Sequence, residues 1–418
     1  MAETPLSILW LLDLQPRFGI RHGATLRWLH FSRELVERGH SVCLSVNEDE
    51  PGDLEASSAL LEEYRLKGWL TSHASTRYRF PSATGRRAHL RVHPTLTNQA
   101  LASFQDETAT RVRSLIEASR VDVVIISQRK LLFLAPRLGD RVPVVVDWMD
   151  SLVLHESRLA RSHFRHGAWR ETTGACKRMA QAVLQERHYG RRSSANILVS
   201  PVDLGLFNRL TGRPDRGRLL LNGVDSRPRA TPVPKQPSRM IFTGAMDAPQ
   251  NHEAALWFIE EVLPRVLRER PDAEFVIAGR DPKPELRQRA GPHVRILGEV
   301  EDLEGEIARS AVAVAPLRSG CGFKNKVVEA LAAGTFVVGT GMATEFLPEA
   351  LRQPLLASDS AEGLARHVLT VLEDPGRFEP RLADLSRIVT EEFSWKRRTR
   401  DLLDILATAT ADRPGAAS

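Results

Sequence analysis

Short apolar runs alternate with segments of helical periodicity along the chain. Leu6–Leu12 has the pattern of a buried strand, and after a loop that contains Pro and Gly, the residues Trp28, Phe31 and Leu35 recur at the spacing of one helix face. Ser41–Val46 then alternates between apolar and polar positions, as a second strand would. The amino-terminal segment therefore predicts a β-α-β unit.

The same alternation runs through the rest of the chain. Further strands are predicted at Val121–Ile126, Pro143–Val146, Asn196–Val199, Met240–Thr243, Glu274–Ala278, His293–Leu297, Val312–Pro316 and Phe336–Gly339. Helices are predicted over Glu253–Arg268 and Asn325–Ala333. Unbroken apolar strands are typical of parallel sheets that are buried on both faces, so the pattern predicts doubly wound α/β domains. Because 418 residues exceed the ~250–300 at which one core stops growing, we expect two such domains.

The composition is that of a globular protein, with 42% hydrophobic and 26% charged residues. No apolar run approaches the ~18 residues of a membrane-spanning helix, and no basic stretch precedes the first apolar run. Three widely spaced cysteines (Cys43, Cys176 and Cys321) disfavour a disulfide framework or a Cys-rich zinc site. We therefore expect a cytoplasmic protein.

The charge is distributed unevenly. The formal net charge of +6 consists of a surplus of +8 over residues 1–225 and a deficit of −2 over residues 226–418. Residues 155–192 combine nine Lys or Arg with three acids and several apolar side chains, which fits either peripheral contact with an anionic membrane or a solvated helical pair. A nucleic-acid partner is not expected, because the surplus is modest, aromatic residues make up 6% of the chain, and no known binding module is present.

Several common phosphate and metal motifs are absent from the sequence. It contains neither G-x-x-x-x-G-K-[ST] nor an intact G-x-G-x-x-G after a first strand, which disfavours a P-loop NTPase and a dinucleotide-dependent dehydrogenase. It also lacks H-E-x-x-H and D-x-D, so a metal-dependent transferase of the single-domain kind is not expected.

The segment Ala315–Gly334 is the strongest candidate for chemistry. The glycine loop Gly320–Gly322 leaves a predicted strand and enters a helix, with Lys324 and Lys326 near its first turn and Glu329 one turn further on. Glycines allow backbone to approach an anion, a helix amino terminus offers N–H donors, and a lysine neutralises charge. The segment predicts a diphosphate site with a ribose-binding carboxylate; the alternative is an ordinary βα turn whose lysines face water.

This segment closely resembles the donor-site signature of the retaining glycosyltransferase family 4. The positions in register with E-G-F-G-x-x-x-x-E-A-x-A-x-G-x-P-V-V are Gly322, Phe323, Glu329, Ala330, Ala332, Gly334, Val337 and Val338. The stretches Asn222–Asp225, Phe242–Asn251 and Phe393–Trp395 resemble the end of the first domain, the opening of the second domain and the start of the final helix. The resemblance spans nearly the whole chain.

The resemblance implies a GT-B fold, in which two doubly wound Rossmann-like domains face each other across a cleft. It implies an acceptor-side domain over 1–225, a donor domain over 239–392 and a helix over 393–410 that crosses back. The proline-rich composition predicts a linker over 226–238, and the Pro/Gly/Ala/Ser-rich composition predicts a disordered tail over 411–418. It also implies metal-independent, retaining transfer of a sugar from a UDP- or GDP-linked donor to an acceptor hydroxyl. The acceptor would be a glycan, a lipid-linked glycan or a small molecule, with polysaccharide or glycoconjugate assembly the best fit.

The resemblance also implies roles for individual residues. Gly23 and Gly244 would let the donor diphosphate approach, Lys326 would neutralise it, and Glu329 would hold the ribose. The remaining donor-binding residues would be Gly279, Arg280, Gly322, Phe323, Lys324 and Asn325. Asp147 and Asp150 are candidates to orient or deprotonate the acceptor, although Asp150 or Ser151 is equally suited to cap the helix that follows.

One departure from the family is prominent. Cys321 stands where the signature has its first Glu, which in the family touches the transferred sugar. A thiol is a weak donor and does not replace a carboxylate. With Cys321 at this position, one alternative is a donor-binding partner without activity of its own. Because the acceptor is open, a natural-product or protein glycosyltransferase of the same fold is a further alternative to polysaccharide assembly.

Overall fold

The chain forms two compact units in a computed structural model that describes residues 4–12, 23–47, 61–76, 99–127, 129–165, 167–224 and 233–411. Unit 1 comprises Met1–Ala160, Ala168–Leu221 and Arg398–Ser418, and unit 2 comprises Arg161–Gly167 and Asn222–Arg397. Asp225, residues 226–232 of the expected linker and residues 412–418 of the expected tail lie outside the described residues.

Unit 1 is built on a seven-stranded sheet. Its strands are β1 (Ser7–Leu12), β2 (Ser41–Asn47), β3 (Ser72–Thr76), β4 (Val123–Ser127), β5 (Val144–Met149), β6 (Ala195–Leu198) and β7 (Gly217–Leu219). Their order is β3-β2-β1-β4-β5-β6-β7, and each neighbouring pair is parallel. The central strands are buried along their length, as their apolar runs predict.

Helices cover this sheet and supply the rest of the core of unit 1. They are α1 (Gly23–Glu37), α2 (Gln99–Ala118), α3 (Ala135–Leu138), α4 (Leu152–Arg165), α5 (Trp169–Gly190) and α6 (Pro201–Thr211), with a 3₁₀ turn at Arg129–Leu134. One cluster of buried residues joins Leu9 and Val124 of the sheet to Phe133 and Phe207.

Unit 2 is built on a six-stranded sheet. Its strands are β8 (Gln236–Thr243), β9 (Glu274–Ala278), β10 (Val294–Gly298), β11 (Ser310–Ala315), β12 (Phe336–Gly339) and β13 (Leu356–Ala357), in the order β10-β9-β8-β11-β12-β13. The helices are α7 (Pro249–Trp257), α8 (Leu263–Glu269), α9 (Pro284–Arg287), α10 (Leu303–Ala308), α11 (Asn325–Ala332), α12 (Gly341–Thr344), α13 (Glu349–Arg352), α14 (Ala361–Glu373) and α15 (Glu379–Glu392). A last helix, α16 (Trp395–Ala411), begins in unit 2, and its residues from Arg398 onward belong to unit 1.

Most predicted elements are confirmed, and two differ from the prediction. The helix predicted over Glu253–Arg268 is interrupted by a π-helical turn at Phe258–Val262. Pro264 lies two residues after the end of that turn, and a proline ring clashes with the carbonyl four residues earlier in a regular helix, so the turn widens before it. β8 starts at Gln236, inside the range expected to be linker.

The order of the strands reverses once in each sheet. In unit 1 the reversal lies between β1 and β4, and in unit 2 it lies between β8 and β11. At such a point the connections after the two central strands leave toward opposite faces, which opens a crevice at the carboxyl end of the sheet. The loops after β8 and β11 therefore define where a ligand of unit 2 is expected.

Candidate functional site

Two glycines bring the ends of neighbouring strands together at the carboxyl edge of the unit 2 sheet. Gly244 follows β8 with φ 148°, and Gly279 follows β9 with φ 156°. The Gly244 N–H donates to the Ala278 carbonyl at 3.1 Å, and the Gly279 N–H donates to the Gly298 carbonyl at 2.7 Å. A Cβ on Gly279 would lie 1.7 Å from the Gly244 oxygen, so these loops pack backbone against backbone.

Lys326 lies directly behind the first of these glycines. It sits in the first turn of α11, and its Nζ donates to Asn251 Oδ1 at 2.7 Å and lies 4.3 Å from the centre of the Phe242 ring. A Cβ on Gly244 would be 2.8 Å from the same Nζ. The absence of a side chain at Gly244 thus leaves the ammonium close to the surface of the loop.

The electrostatic environment of Lys326 makes its charge depend on the ligand. Burial lowers the pKa of its ammonium to about 7, nearby Lys324 lowers it further, and Glu329 opposes both effects. An anion placed against this side chain would favour its protonated form. The arrangement is suited to a ligand that carries phosphate.

Asn251 is the residue that sequence reasoning missed. It lies in the first turn of α7 and is 9% exposed, with Oδ1 accepting from Lys326 and Nδ2 donating to the Ala245 carbonyl at 2.9 Å. The sequence contained one indication of its role, because Asn251 is the last residue of the Phe242–Asn251 stretch that resembles the opening of the second domain. That stretch contains no Lys or Arg of its own.

Lys324 and Phe323 turn their side chains into the protein. Lys324 is 7% exposed, and its Nζ donates to the carbonyls of Cys321 at 2.6 Å and Gly322 at 3.0 Å, so it closes its own loop. The Phe323 ring packs 4.6 Å from Phe346. Both residues support the glycine loop from within, and Gly322 adopts the left-handed backbone (φ 72°) that the turn requires.

The remaining candidates of unit 2 surround this loop. Asn325 begins α11, and its Oδ1 accepts a hydrogen bond from Asn222 Nδ2 at 3.3 Å. Glu329 is half-buried one turn beyond Lys326. Arg280 follows Gly279, with its guanidinium 3.6 Å from the Asp281 carboxylate.

In unit 1 the two candidate aspartates lie in different environments. Asp147 lies in β5, is 3% exposed, and forms an ion pair with Arg27 of α1 at 2.9 Å. Arg27 is also buried. Asp150 is half-buried just beyond β5, after Met149 in a left-handed turn (φ 62°). Gly23 is the first residue of α1 in the described part of the chain.

The loop after β5 is anchored by buried acids. Ser151 caps α4, because its Oγ accepts from the Leu154 N–H at 3.3 Å, and it donates to the Glu186 carboxylate at 3.0 Å. Its backbone N–H donates to Asp203 Oδ1 at 2.9 Å. Burial raises the pKa of Glu186 to about 7, although hydrogen bonds from Val153 and Ser151 oppose the rise.

Glu186 is therefore expected to make unit 1 less stable as the pH rises. Its pKa is about 7 in the folded state and near its ordinary 4.5 in the unfolded chain. The favourable contribution is complete below pH 4.5 and is lost as the pH rises through 7. Between pH 5 and 7.5 this loss is on the order of 2 kcal/mol, and in Glu186→Gln it should disappear. Melting temperatures at pH 5, 6 and 7.5 measure it, with exposed Glu37→Gln as control; a wild-type-minus-Glu186→Gln difference that is independent of pH would contradict the expectation.

Helix α5 carries a mixed apolar and basic outer face. Trp169 is 64% exposed and Leu184 is 47% exposed, and the cations Arg170, Lys177 and Arg187 are exposed along the same helix. Within the described ranges, no helix is both long enough and apolar enough to cross a membrane.

Two family models match the chain. The one described as glycosyl transferase 4-like domain matches residues 22–223, and the one described as glycosyl transferases group 1 matches residues 237–374. A phosphatidyl-myo-inositol mannosyltransferase of Mycolicibacterium smegmatis is 34% identical over 165 residues, which are 37% of this chain and 42% of that protein. The match thus spans less than half the length of this relative.

Solved structures match over almost the whole chain. A crystal structure of HepE from Anabaena in complex with UDP and glucose superposes with a TM-score of 0.65 at 16% identity, covering 96% of this chain and 99% of that one. Sucrose-phosphate synthase from Thermosynechococcus elongatus gives 0.70 at 15% identity, covering 97% and 99%. The fold is that of the GT-B proteins. Within that class, the chain belongs to glycosyltransferase family 4.

Proposed function

We propose that the protein is a retaining glycosyltransferase that binds a nucleoside-diphosphate sugar in unit 2. The observation that carries the proposal is the Lys326 ammonium, which lies behind Gly244 at the reversal of strand order between β8 and β11. The group 1 match over residues 237–374 includes both residues, and the matched HepE structure contains UDP and glucose.

The chemistry follows from where negative charge develops. As the bond between sugar and diphosphate breaks, charge grows on the leaving diphosphate, and fixed donors that face it stabilise the transition state. Lys326 supplies an ammonium, the glycine loops supply backbone N–H groups, and Glu329 would hold the ribose hydroxyls. Because Lys324 binds its own loop, we assign the diphosphate contact to Lys326.

Unit 1 would take the acceptor. The surplus of +8 over residues 1–225 suits an anionic acceptor or one carried at a membrane surface, and the Mycolicibacterium smegmatis relative is named a phosphatidyl-myo-inositol mannosyltransferase. Asp150 is our candidate for orienting the acceptor hydroxyl. Asp147 holds the buried ion pair with Arg27, and we propose a structural role for it.

A nucleotide panel tests the donor site. UDP, GDP, dTDP, CDP and ADP, each with and without chelator, are compared with the matching monophosphates by thermal shift. A ligand at 100 times its Kd adds about 2.7 kcal/mol of stability. We expect one diphosphate to stabilise the protein independently of chelator and more than its monophosphate; no shift with any diphosphate would contradict the proposal. Sugar transfer from the donor of that base then separates an enzyme from a donor-binding partner without activity, the alternative that Cys321 leaves open.

Peripheral attachment to an anionic membrane through α5 is the second part of the proposal. Trp169 and Leu184 would insert among the lipids while Arg170, Lys177 and Arg187 face anionic headgroups. This places unit 1 where a lipid-linked acceptor is found.

Vesicle sedimentation measures this attachment. Trp169→Ser and Leu184→Ser should each weaken binding to vesicles containing phosphatidylglycerol by about tenfold, since burying one large apolar side chain contributes roughly 1.5–3 kcal/mol. Leu66→Ser is the matched control, because Leu66 is 73% exposed and lies elsewhere in unit 1. Equal binding by wild type and by all three variants would exclude α5 as the contact.

A further inference from the structure

The side chain of Asn251 connects two parts of the candidate donor site. Its Oδ1 accepts from Lys326 Nζ at 2.7 Å, and its Nδ2 donates to the Ala245 carbonyl at 2.9 Å. The two ends of the amide are not interchangeable here. An ammonium can only donate and a carbonyl can only accept, so each contact fixes the other.

We propose that Asn251 is the positioning residue of the donor site, which holds the Lys326 ammonium behind Gly244 and at the same time fixes the Gly244–Ala245 loop against which the diphosphate would lie. This inference rests on the proposed function. In this proposal Asn251 acts through Lys326 and the loop, although its Nδ2 lies as near to a Cβ built on Gly244 as the Lys326 Nζ does, at 2.8 Å.

The neutrality of the amide matters as much as its geometry. A carboxylate at this position would keep the contact with Lys326 but would pair with its charge and repel a diphosphate. It would also lose the donor that binds the Ala245 carbonyl. An asparagine orients the ammonium and leaves its charge available to a ligand.

Other charged groups near Lys326 bear on a pH test. Among the described residues, Lys324 and Glu329 act on the Lys326 charge, and His252, the residue after Asn251 on α7, is paired with Glu285 at 3.0 Å. A new carboxylate at position 251 would raise the pKa of Lys326 above its present value of about 7. The pH above which nucleotide affinity declines should therefore move upward.

The test compares wild type, Asn251→Asp and Asn251→Ala, with melting temperatures showing that each variant folds. The nucleoside diphosphate identified by the panel is titrated by calorimetry from pH 6 to 9. We expect Asn251→Ala to weaken binding about tenfold, the loss of a hydrogen bond to a charged group. Asn251→Asp should weaken it tenfold or more near pH 7, with the decline in affinity shifted to higher pH. With a turnover assay, the effect should fall mainly on KM for the donor.

The outcomes separate the inference from the proposed function. If wild type binds the diphosphate and both variants bind it with the same affinity and the same pH profile, Asn251 has no positioning role while the donor site stands. If Asn251→Ala does not fold, Asn251→Asp, which has almost the same shape, decides through its pH profile. If wild type binds no nucleoside diphosphate, the proposed function fails, and the inference fails with it.

Discussion

Replacing Lys326 by methionine is expected to weaken nucleoside-diphosphate binding by about a hundredfold while unit 2 stays folded. Methionine keeps an unbranched apolar chain next to the Phe242 ring but removes the ammonium that donates to Asn251. A hydrogen bond to a charged group contributes about 1.5–3 kcal/mol. A bound diphosphate also offsets the cost of keeping a partly desolvated cation in the protein, and the variant loses this gain. Calorimetric titration of wild type and variant measures the difference.

The same substitution should abolish a pH dependence. In the free protein the Lys326 pKa is about 7, and a bound diphosphate raises it, so binding above pH 7 takes up a proton and affinity falls as the pH rises. The lowered pKa also affects folding. Between pH 7 and 10.5 the unfolded chain binds more protons than the folded protein, so this residue makes the stability of the fold rise with pH across that window. Titrations in two buffers of different ionisation enthalpy detect the proton.

Lys67→Met is the control for both measurements, because it removes the same charge from an exposed residue of unit 1. Wild-type affinity in Lys326→Met, or proton uptake that persists in it, would remove Lys326 from the donor site.

Among substitutions that add a single methyl group in unit 2, Gly279→Ala is expected to be the most destabilising. The added Cβ would lie 1.7 Å from the Gly244 oxygen, and φ 156° is a backbone conformation that L side chains rarely adopt. Because the obstacle is backbone, the loops after β8 and β9 must separate. We expect a loss of about 3 kcal/mol or more, which lowers the melting temperature by roughly 6–12 °C, together with loss of nucleotide binding.

Gly291→Ala is the matched control within the same unit. Among the described residues other than its two chain neighbours, no atom lies within 4 Å of a Cβ built on Gly291. Its melting temperature should stay within about 2 °C of wild type, a shift that corresponds to roughly 0.5 kcal/mol. If Gly279→Ala and Gly291→Ala have the same melting temperature, the close packing of Gly244 and Gly279 does not contribute to stability.

The sequence predicted those strands whose position follows from the local pattern of apolar residues. Central strands such as β4 and β9 are unbroken apolar runs, and their positions could be predicted to within about two residues. The edge strands β3, β7 and β13 could not be predicted, because they are short and lack such a run. Pairing with a neighbour, which the local pattern does not encode, makes them strands.

The candidate site was predictable in composition but not in the division of roles. Lys324 and Lys326 are two residues apart, and both suit a diphosphate by type. Lys324 precedes α11 with a non-helical backbone (φ −105°, ψ 83°) and binds the loop carbonyls, whereas Lys326 is inside the first turn and meets Asn251. Asn251 is 75 residues away in the sequence, and no local pattern links the two.

The ion pair between Arg27 and Asp147 constrains how this family of sequences can change. Both side chains are almost completely buried, and they come from positions 120 residues apart. Removing either partner leaves an uncompensated charge in the interior at a cost of about 3–5 kcal/mol, whereas replacing both by apolar residues of similar volume is often tolerated. Substitutions at these two positions are therefore expected to be inherited together, as covariation between α1 and β5 rather than as invariance of an acid at position 147.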